Sequence, residues 1–486
     1  MKLQKILHKI DYQIIKGNLD IDIKDISYDS RMVTEGSAFV ALIGIDTDGH
    51  NYIEAAIKRG ATCIFICKDM DIKEDITVIK LKDTRKELAN LSANLFENPS
   101  DKLIKIAITG TKGKTSTSWM IKNILEHAGY KVGVIGTLGT YIDGSLHSHK
   151  NTTPESYMIQ KFMRQMVDCG CQYLIMETSS QALKVGRVNN IYYEYGIFTN
   201  LSLDHIGPRE HPTYEDYVYS KAQLFKQCKI GILNQDEREY PSMVKDATCK
   251  IYTYGEKNSD LEIQKIHSLH TNHFLGTEFT TIGLLNDTFQ VSSPGAFSAY
   301  NASAAILLCN LLGIQEKFIQ IGLQQFSVRG RCEIFSIQDK FKVVIDFAHN
   351  HISMESILKT MREYHPHKII TIFGCGGGRS RELRCDLGMV AGTYSDFSII
   401  TTDNPRNDEI DEINADIAKG VESVGGTYLI IRNRKDAILY ALNHAEENDI
   451  ILLLGKGHET YQEIKGMKYP FDEKKIITEF QFSKER

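Results

Sequence analysis

The sequence is most informative first in what it lacks. No stretch of its 486 residues is long and apolar enough to cross a bilayer, and Met1-Lys2-Leu3-Gln4-Lys5 lacks the apolar core of a signal peptide. A cytoplasmic protein without membrane insertion is therefore expected. Basic runs are absent and the net charge is −5, so no nucleic-acid partner is expected. The ten cysteines are scattered. Their closest pairs, Cys63/Cys67 and Cys169/Cys171, lie in apolar strand-like runs without a matching second pair. That argues for core thiols in a reducing compartment and against zinc. With 42% hydrophobic and 24% charged residues, the chain has ample core for about three domains, read here as a monomer.

The stretch that carries most chemistry is Ile106-Ala107-Ile108-Thr109-Gly110-Thr111-Lys112-Gly113-Lys114-Thr115-Ser116. A short apolar run reads as a buried strand, and Ser118 to Ala128 reads as the helix behind it. The turn between them supplies two glycines, a lysine and a threonine. Backbone N–H groups freed by glycine can close on phosphate oxygens, and a helix N-terminus adds positive potential. Lys114 would reach the outer phosphates and the Thr115 hydroxyl a Mg²⁺ ion. The spacing is shorter than the general G-x-x-x-x-G-K-[ST] loop, so that motif alone does not cover it.

Residues 1–100 read as a small α/β domain. Strands are expected over Asp20 to Tyr28, Ala38 to Leu42 and Ala61 to Ile66, with a helix over Ile53 to Arg59, and the order implies a parallel sheet. Ser27-Tyr28-Asp29-Ser30-Arg31 and Asp48-Gly49-His50 are loop segments that could serve structure or ligand. A helix over Asp83 to Asn98 and a hinge at Pro99-Ser100-Asp101 lead into a central domain over 101–330. There Asn151-Thr152-Thr153-Pro154-Glu155 looks like a helix start capped by threonine. Tyr173-Leu174-Ile175-Met176-Glu177 is a buried strand delivering a carboxylate at its C-terminal end, a usual second anchor for a nucleotide's Mg²⁺. Ile197 to His205 repeats that design. Lys221 lies on an amphipathic helix with Leu224 and Phe225 inward; periodicity alone makes it a surface lysine. Asn301 opens a helix of small residues. The C-terminal domain, 331–486, reads as a second doubly wound sheet. Its strands end in Asp346-Phe347-Ala348-His349-Asn350, Gly374-Cys375-Gly376-Gly377-Gly378-Arg379, Asp403-Asn404-Pro405-Arg406 and Gly455-Lys456-Gly457-His458-Glu459. The glycines at 374–378 lack dinucleotide-fingerprint spacing.

The loop T-G-T-K-G-K-T-S resembles the ATP loop of the Mur ligases, ATP-dependent amide-forming enzymes of peptidoglycan precursor synthesis. M-E-x-S-S, T-N-L-S-x-D-H, R-G-R, D-N-P-R and G-K-G-H-E follow in that family's order over essentially the whole chain. The set is most similar to the branch that adds the third amino acid to UDP-N-acetylmuramoyl-L-alanyl-D-glutamate. The resemblance implies three α/β domains: a UDP-substrate domain, a central ATP-binding domain and a Rossmann-like amino-acid domain. It implies ATP contacts from Gly110, Thr111, Lys112, Gly113, Lys114, Thr115, Ser116, Asn301, Arg331 and Asp346. It places the UDP-substrate on Ser30, Thr152, Thr153, Ser179 and Arg187. Mg²⁺ falls to Thr115, Glu177, His205 and Lys221, the lysine carried as a carbamate (N6-carboxylysine). The incoming amino acid falls to Arg379, Asp403, Asn404, Pro405, Arg406, Gly455 and Glu459.

The implied chemistry is attack of a substrate carboxylate on the γ-phosphate of ATP, then displacement of phosphate by an amine. D-N-P-R accompanies meso-diaminopimelate, because Arg406 can grip its far carboxylate, which lysine lacks. Departures bear on substrate rather than catalysis: Phe347-Ala348-His349-Asn350 replaces Y-A-H-T, Gly378-Arg379-Ser380-Arg381 replaces an acidic continuation, and Val185 stands for a glutamine. Ligation of L-lysine or another amino acid, a folylpolyglutamate-type ligase, a phosphoryl-transferring kinase and a nucleotide-sensing module are the alternatives at this stage.

Overall fold

The computed structural model describes residues 1–44, 47–203, 206–207, 210–270 and 275–484. It divides into two compact units, Met1–Glu262 with Gly283–Leu285 and Ser303–Gly322, and Ile263–Ile282 with Asn286–Ala302 and Leu323–Arg486.

The first unit opens with helix α1 (Leu3–Ile6) and strands β1 (Tyr12–Lys16), β2 (Asp25–Ser27) and β3 (Ser37–Val40). Helix α2 (Ile53–Lys58), strands β4 (Ala61–Ile66) and β5 (Thr77–Leu81) and helix α3 (Thr84–Leu95) follow. The five strands lie in the order β1-β5-β4-β3-β2. All pairings are parallel except β1 against β5. The sheet is thus mixed, not wholly parallel as expected. β1 escaped the sequence reading because it has no buried face to impose an alternation: Tyr12, Ile14 and Ile15 are all exposed. β2 is also shorter than expected, covering only the end of the Asp20–Tyr28 run.

Next come β6 (Ile104–Thr109), α4 (Lys114–His127), β7 (Val132–Gly136), β8 (Gly139–Ile142), β9 (Ser145–His147), α5 (Ser156–Asp168) and β10 (Tyr173–Glu177). Then follow α6 (Ser180–Lys184), β11 (Tyr193–Phe198), α7 (Tyr214–Ala222), β12 (Cys228–Asn234), α8 (Tyr240–Val244) and β13 (Lys250–Gly255). Their sheet runs β13-β12-β11-β6-β10-β7-β8-β9, parallel from β13 to β7 and closed by antiparallel hairpins. β6, β10 and β7 are buried on both faces, which is why they read as apolar runs, broken in β6 only by Lys105, whose ammonium is held by Ser100 O, Leu103 O and Glu194. β6 connects past β10 to β7, whereas β10 connects the other way, past β6 to β11, and the C-terminal ends of these strands frame a crevice.

Two local expectations need correction. α4 begins at Lys114 rather than Ser118, so Lys114 and Thr115 occupy its first turn. Thr152 and Thr153 do not cap α5: the helix starts at Ser156 and its N-cap is Glu155, without a side-chain bond. Pro99–Lys102, at the expected hinge, forms a 3₁₀ turn with Pro99 and Ser100 buried.

Beyond β14 (Leu261–His270), the second unit holds the antiparallel pair β15 (Leu275–Gly283) and β16 (Asp287–Val291). After α9 (Ala296–Leu311) and α10 (Glu316–Gln324) come β17 (Glu333–Ile337), β18 (Phe341–Asp346), α11 (His351–Arg362), β19 (Ile369–Phe373) and α12 (Arg381–Tyr394). The chain finishes with β20 (Phe397–Ile400), α13 (Ile410–Ser423), β21 (Tyr428–Ile430), α14 (Arg434–His444), β22 (Ile450–Leu454), β23 (Tyr461–Ile464), β24 (Met467–Pro470) and α15 (Glu473–Lys484). The sheet order is β17-β18-β22-β19-β20-β21, parallel but for β17. Alternate residues of each strand serve opposite cores: Val344, Leu452 and Phe373 one, Val343, Leu453 and Ile372 the other. Asn301 lies inside α9, past its first turn, rather than opening it.

Candidate active site

In the first unit the crevice is built around the turn from β6 into α4. Gly110 has φ +150° and Gly113 φ +82°, and a Cβ on Gly110 would sit 2.0 Å from Thr199 Oγ1. Only glycine lets the loop lie this close to the end of β11. Asn200 clamps it: Asn200 O accepts from Thr111 N at 2.9 Å, Oδ1 accepts from Lys112 N at 2.8 Å, and Nδ2 donates to Lys112 O at 3.0 Å. Lys114 Nζ folds over the loop, donating to Gly110 O at 2.7 Å and Thr111 O at 3.0 Å. Its ammonium thus stays on the loop, at the N-terminus of α4, where positive potential suits a phosphate. Ser116 follows in the first turn of α4.

Glu177, fully buried at the end of β10, faces this turn. Its carboxylate accepts from Thr115 Oγ1 at 3.0 Å, Thr137 N at 3.0 Å and Thr137 Oγ1 at 2.8 Å. A hydroxyl and a carboxylate converging beside a phosphate loop form an oxygen-donor set suited to Mg²⁺, which completes its shell with water and phosphate. Among the described residues no group of three or more His, Cys, Asp or Glu gathers there. Expected His205 lies outside the described residues. Lys221 is not the surface lysine that periodicity favoured. It is buried, its Nζ donates to Gly110 O at 2.8 Å, and it lies 4.6 Å from the Tyr217 ring centroid.

Of the residues expected on the UDP-substrate side, Thr152, Thr153, Ser179 and Arg187 converge on the same strand end. Thr153 Oγ1 donates to Glu177 O at 2.7 Å and accepts from Ser179 N at 3.0 Å, while Thr152 Oγ1 meets Thr137 Oγ1 at 3.2 Å. Arg187 donates through Nη1 to Thr153 O and through Nε to Glu155 Oε1, each at 3.1 Å. Arg85 of α3 grips the same carboxylate, Nη1 lying 3.1 and 3.0 Å from its oxygens. These arginines with Lys68, Lys82, Lys86 and Lys184 line a cavity of about 910 Å³, large enough for a nucleotide and rich in cations for its phosphates. Ser30 begins a 3₁₀ turn capped by Asp29 and is not among the residues lining this cavity.

The second unit holds the remaining assigned groups. Asp346 ends β18 and accepts from Cys332 N and Ala348 N, each at 2.8 Å. Burial pushes its carboxyl above the usual range, with Arg331 pulling the other way. The Arg331 guanidinium lies 4.9 Å from the Phe347 ring, and its Nε is buried without a hydrogen-bond partner. Asn301 is buried in α9. Around β20 and β22, buried Lys456 Nζ donates to Asn404 Oδ1 at 3.1 Å and Glu459 Oε2 at 3.2 Å, and pairs with Asp403 at 3.4 Å. Asn404 Nδ2 also donates to Glu459 Oε2 at 2.8 Å. Gly455 has φ +105°, and a Cβ there would lie 2.7 Å from Asp403 Oδ2. Pro405 O would be 2.0 Å from a Cβ on Gly377, so the glycine turn and D-N-P-R pack as one surface. Arg406 has φ +51°. Its side chain is 56% exposed, with Nε 3.7 Å from Glu463 Oε2, so it is lightly held and can reach a ligand carboxylate. Arg379 is exposed in the turn before α12.

The sequence reading missed Thr137, Glu155, Arg85, Tyr217, Lys456 and Glu463. Glu155 and Lys456 sat inside quoted motifs, but nothing in their spacing marks which neighbours they meet. Arg85, Tyr217 and Glu463 carry no local signal.

Comparison with known proteins agrees with this geometry. Residues 22–102 match the Mur ligase family catalytic domain, 108–309 the Mur ligase middle domain and 330–457 the Mur ligase glutamate ligase domain. The chain is 40% identical over 485 residues to the UDP-N-acetylmuramoyl-L-alanyl-D-glutamate--2,6-diaminopimelate ligase of Clostridium perfringens, covering 98% of this chain and 99% of that protein. The ligase of that name from Clostridium tetani is 41% identical over 487 residues, 99% of each. A solved structure of a UDP-N-acetylmuramoyl-L-alanyl-D-glutamate--2,6-diaminopimelate ligase superposes with a TM-score of 0.73 at 27% identity, covering 100% and 99% of the two chains. The chain belongs to the Mur ligase family.

Proposed function

We propose that the protein is an ATP-dependent amide ligase that joins meso-diaminopimelate to UDP-N-acetylmuramoyl-L-alanyl-D-glutamate, in the cytoplasm where ATP is held. The observation that carries this reading is the meeting of Thr115 and Glu177 at 3.0 Å beside the phosphate loop, in a chain whose full-length relatives bear that activity in their names. The matched N-terminal domain and these relatives weigh against a folylpolyglutamate-type ligase.

Two anions must meet for the reaction, a substrate carboxylate and the γ-phosphate, and positive charge must offset their repulsion. The N-terminus of α4 and Lys114 supply part of it; Arg331 is assigned to the phosphates, Asp346 to the ribose hydroxyls and Asn301 to the adenine. Thr115, Glu177, His205 and carbamylated Lys221 would hold Mg²⁺, which when bound supplies further positive charge to the phosphate oxygens. The substrate carboxylate oxygen attacks phosphorus, ADP leaves, and an acyl phosphate forms. The amine then attacks the carbonyl carbon, the C–O bond to phosphate breaks, and the amine loses a proton. Thr152, Thr153, Ser179 and Arg187 orient the UDP-substrate, with Ser30 assigned to its nucleotide end. Arg379, Asp403, Asn404, Pro405, Arg406, Gly455 and Glu459 receive the amino acid.

Isotope transfer tests this path. With ¹⁸O in the substrate carboxylate, one labelled oxygen per turnover should appear in the released phosphate. Unlabelled phosphate, or a stable phosphorylated product in the presence of the amine, would reject it.

A further inference from the structure

Between the phosphate loop and the basic cavity of the first unit lies a Ser–His–Asp constellation, its serine and histidine buried and its aspartate partly exposed, that none of the assigned roles uses. His211 is fully buried. Its Nδ1 lies 2.6 Å from Asp216 Oδ2 and its Nε2 2.9 Å from Ser180 Oγ. With aspartate on one ring nitrogen, the balanced assignment has Nδ1–H donating to Asp216 and Nε2 accepting from the Ser180 hydroxyl. The distances match those of a hydrolytic triad, but the setting does not. Ser180 is 5% exposed, and the large cavity is lined from this helix by Gln181, Lys184 and Val185 instead.

What the constellation joins is more telling. Ser180 begins α6, immediately after Ser179, on the loop that leaves Glu177. Asp216 lies in the first turn of α7, the helix that carries Lys221. Asp216 Oδ2 also accepts from Lys184 Nζ at 2.7 Å, and Lys184 is on the cavity wall. The His211 ring lies 5.1 Å from that of Tyr217, tilted by 58°, and the Tyr217 hydroxyl meets Thr111 Oγ1 of the phosphate loop at 3.0 Å. Lys221 sits over the other part of this path, 4.6 Å from the Tyr217 ring centroid. Gly207 N, on the loop that follows His205 in sequence, donates to His211 O at 2.8 Å. One imidazole therefore ties together the substrate loop, the lysine helix and, through Tyr217, the phosphate loop. Burial pushes this imidazole below its usual value against the pull of Asp216, which agrees with a neutral ring spanning two partners.

We infer that His211 is a positioning residue, fixing α7 against the Ser179–Ser180 turn so that Lys221 is held where it can be carbamylated and serve the phosphate loop. The inference rests on the proposed carbamate at Lys221. In that step the deprotonated amine adds to carbon dioxide, an N–C bond forms and a proton is released, leaving an anion where the ammonium stood. A lysine that drifts from its seat would hold carbon dioxide less tightly, because the carbamate gains its stability from fixed neighbours.

The test uses the full chain with ¹³C-bicarbonate, following the lysine carbamate by ¹³C NMR alongside turnover. His211→Asn keeps a donor toward Asp216 but cannot reach Ser180, and Ser180→Ala removes one hydroxyl. Both should need more bicarbonate for half-occupancy, and kcat at ambient bicarbonate should fall by roughly 10- to 100-fold. Added bicarbonate should restore both signals, while KM for the amino acid, whose assigned residues lie in the second unit, should stay within about twofold. If the histidine variant does not fold, Ser180→Ala carries the test alone. Wild-type-like carbamate occupancy with lowered kcat would reduce His211 to a structural role and overturn the inference; so would unchanged kcat. Absence of any carbamate in the wild type would instead sink the reading of Lys221 and the inference with it. Labelling of Ser180 by a fluorophosphonate would make it a nucleophile and overturn the positioning role.

Discussion

Glu177 illustrates how one side chain can be committed before any ligand arrives. Its carboxylate is fully buried and receives the Thr115 hydroxyl together with both donors of Thr137. Glu177→Gln keeps the shape but removes the charge that a cation needs, and turns one acceptor into a donor facing two hydroxyls. Turnover should fall on the order of 100-fold or more and the Mg²⁺ concentration for half-activation should rise, while KM for the UDP-substrate changes little. Equal losses in both would contradict the assignment. Arg406 poses the opposite case, a half-exposed guanidinium with long contacts to Gly377 O at 3.4 Å and Glu463 Oε2 at 3.7 Å. A charged hydrogen bond is worth about 1.5–3 kcal/mol, so Arg406→Ala should cut the preference for diaminopimelate over L-lysine by roughly 10- to 100-fold. Competition kinetics with both amino acids measures it. His458 adds a pH effect. Burial, with Arg331 and Arg329 nearby, pushes its imidazole down to about 4 from an ordinary 6.5. Between those values the unfolded chain binds the proton and the folded one does not, so stability should fall as pH drops from 6.5 toward 4. Thermal melts of the protein and of His458→Phe over that range should differ in slope, the variant being flatter.

At the scale of elements, the most telling contact is the buried pair between the first turns of α14 and α15. Arg434 Nε donates to Glu473 Oε1 at 2.8 Å, and Arg434 Nη2 donates to Leu454 O at 2.8 Å, the residue before Gly455. The pair thus fixes the strand end from which the G-K-G-H-E loop departs. Arg434→Met alone should cost about 3–5 kcal/mol in chemical denaturation, because it strands a buried carboxylate. Arg434→Met with Glu473→Leu should cost clearly less; additive losses would show that the pair has no coupling. Nothing in the sequence announces this bridge, since its partners are 39 positions apart. The elements that were legible are those whose burial imposes a simple pattern. β4 and β10 have the expected bounds, Ala61–Ile66 and Tyr173–Glu177, and β19 (Ile369–Phe373) and β22 (Ile450–Leu454) end directly before the glycine motifs expected to follow them, because interior parallel strands are apolar on both faces. β1, β17 and the β23–β24 hairpin were not anticipated. β1 and the hairpin are exposed or half-buried along their length and β17 is buried only at its two ends, which leaves no alternation to detect. Within the site, residue types set by chemistry were readable: the glycines, Lys114, Thr115 and Glu177. Residues set by tertiary packing, such as Tyr217 against Thr111 or Arg85 against Glu155, were not.

For the whole molecule, the assigned groups fall into two sets. The phosphate loop, Glu177, Lys221 and the basic cavity belong to the first compact unit, and Arg331, Asp346, D-N-P-R and G-K-G-H-E to the second. Each set includes carboxylates at the C-terminal ends of the strands of a mainly parallel sheet, Glu177 on β10 in the first and Asp346 on β18 in the second. The central claim is that these sets serve one reaction, the ATP-driven joining of a diamino acid to a UDP-linked dipeptide. The direct measurement is phosphate release with ATP, Mg²⁺ and UDP-N-acetylmuramoyl-L-alanyl-D-glutamate across a panel of amino acids, with the product weighed by mass spectrometry. We predict that meso-diaminopimelate gives one phosphate per tripeptide formed, and that L-lysine has a kcat/KM lower by at least about 100-fold. Phosphate release that is indifferent to the amino acid, or L-lysine turned over as well as meso-diaminopimelate, would contradict the account.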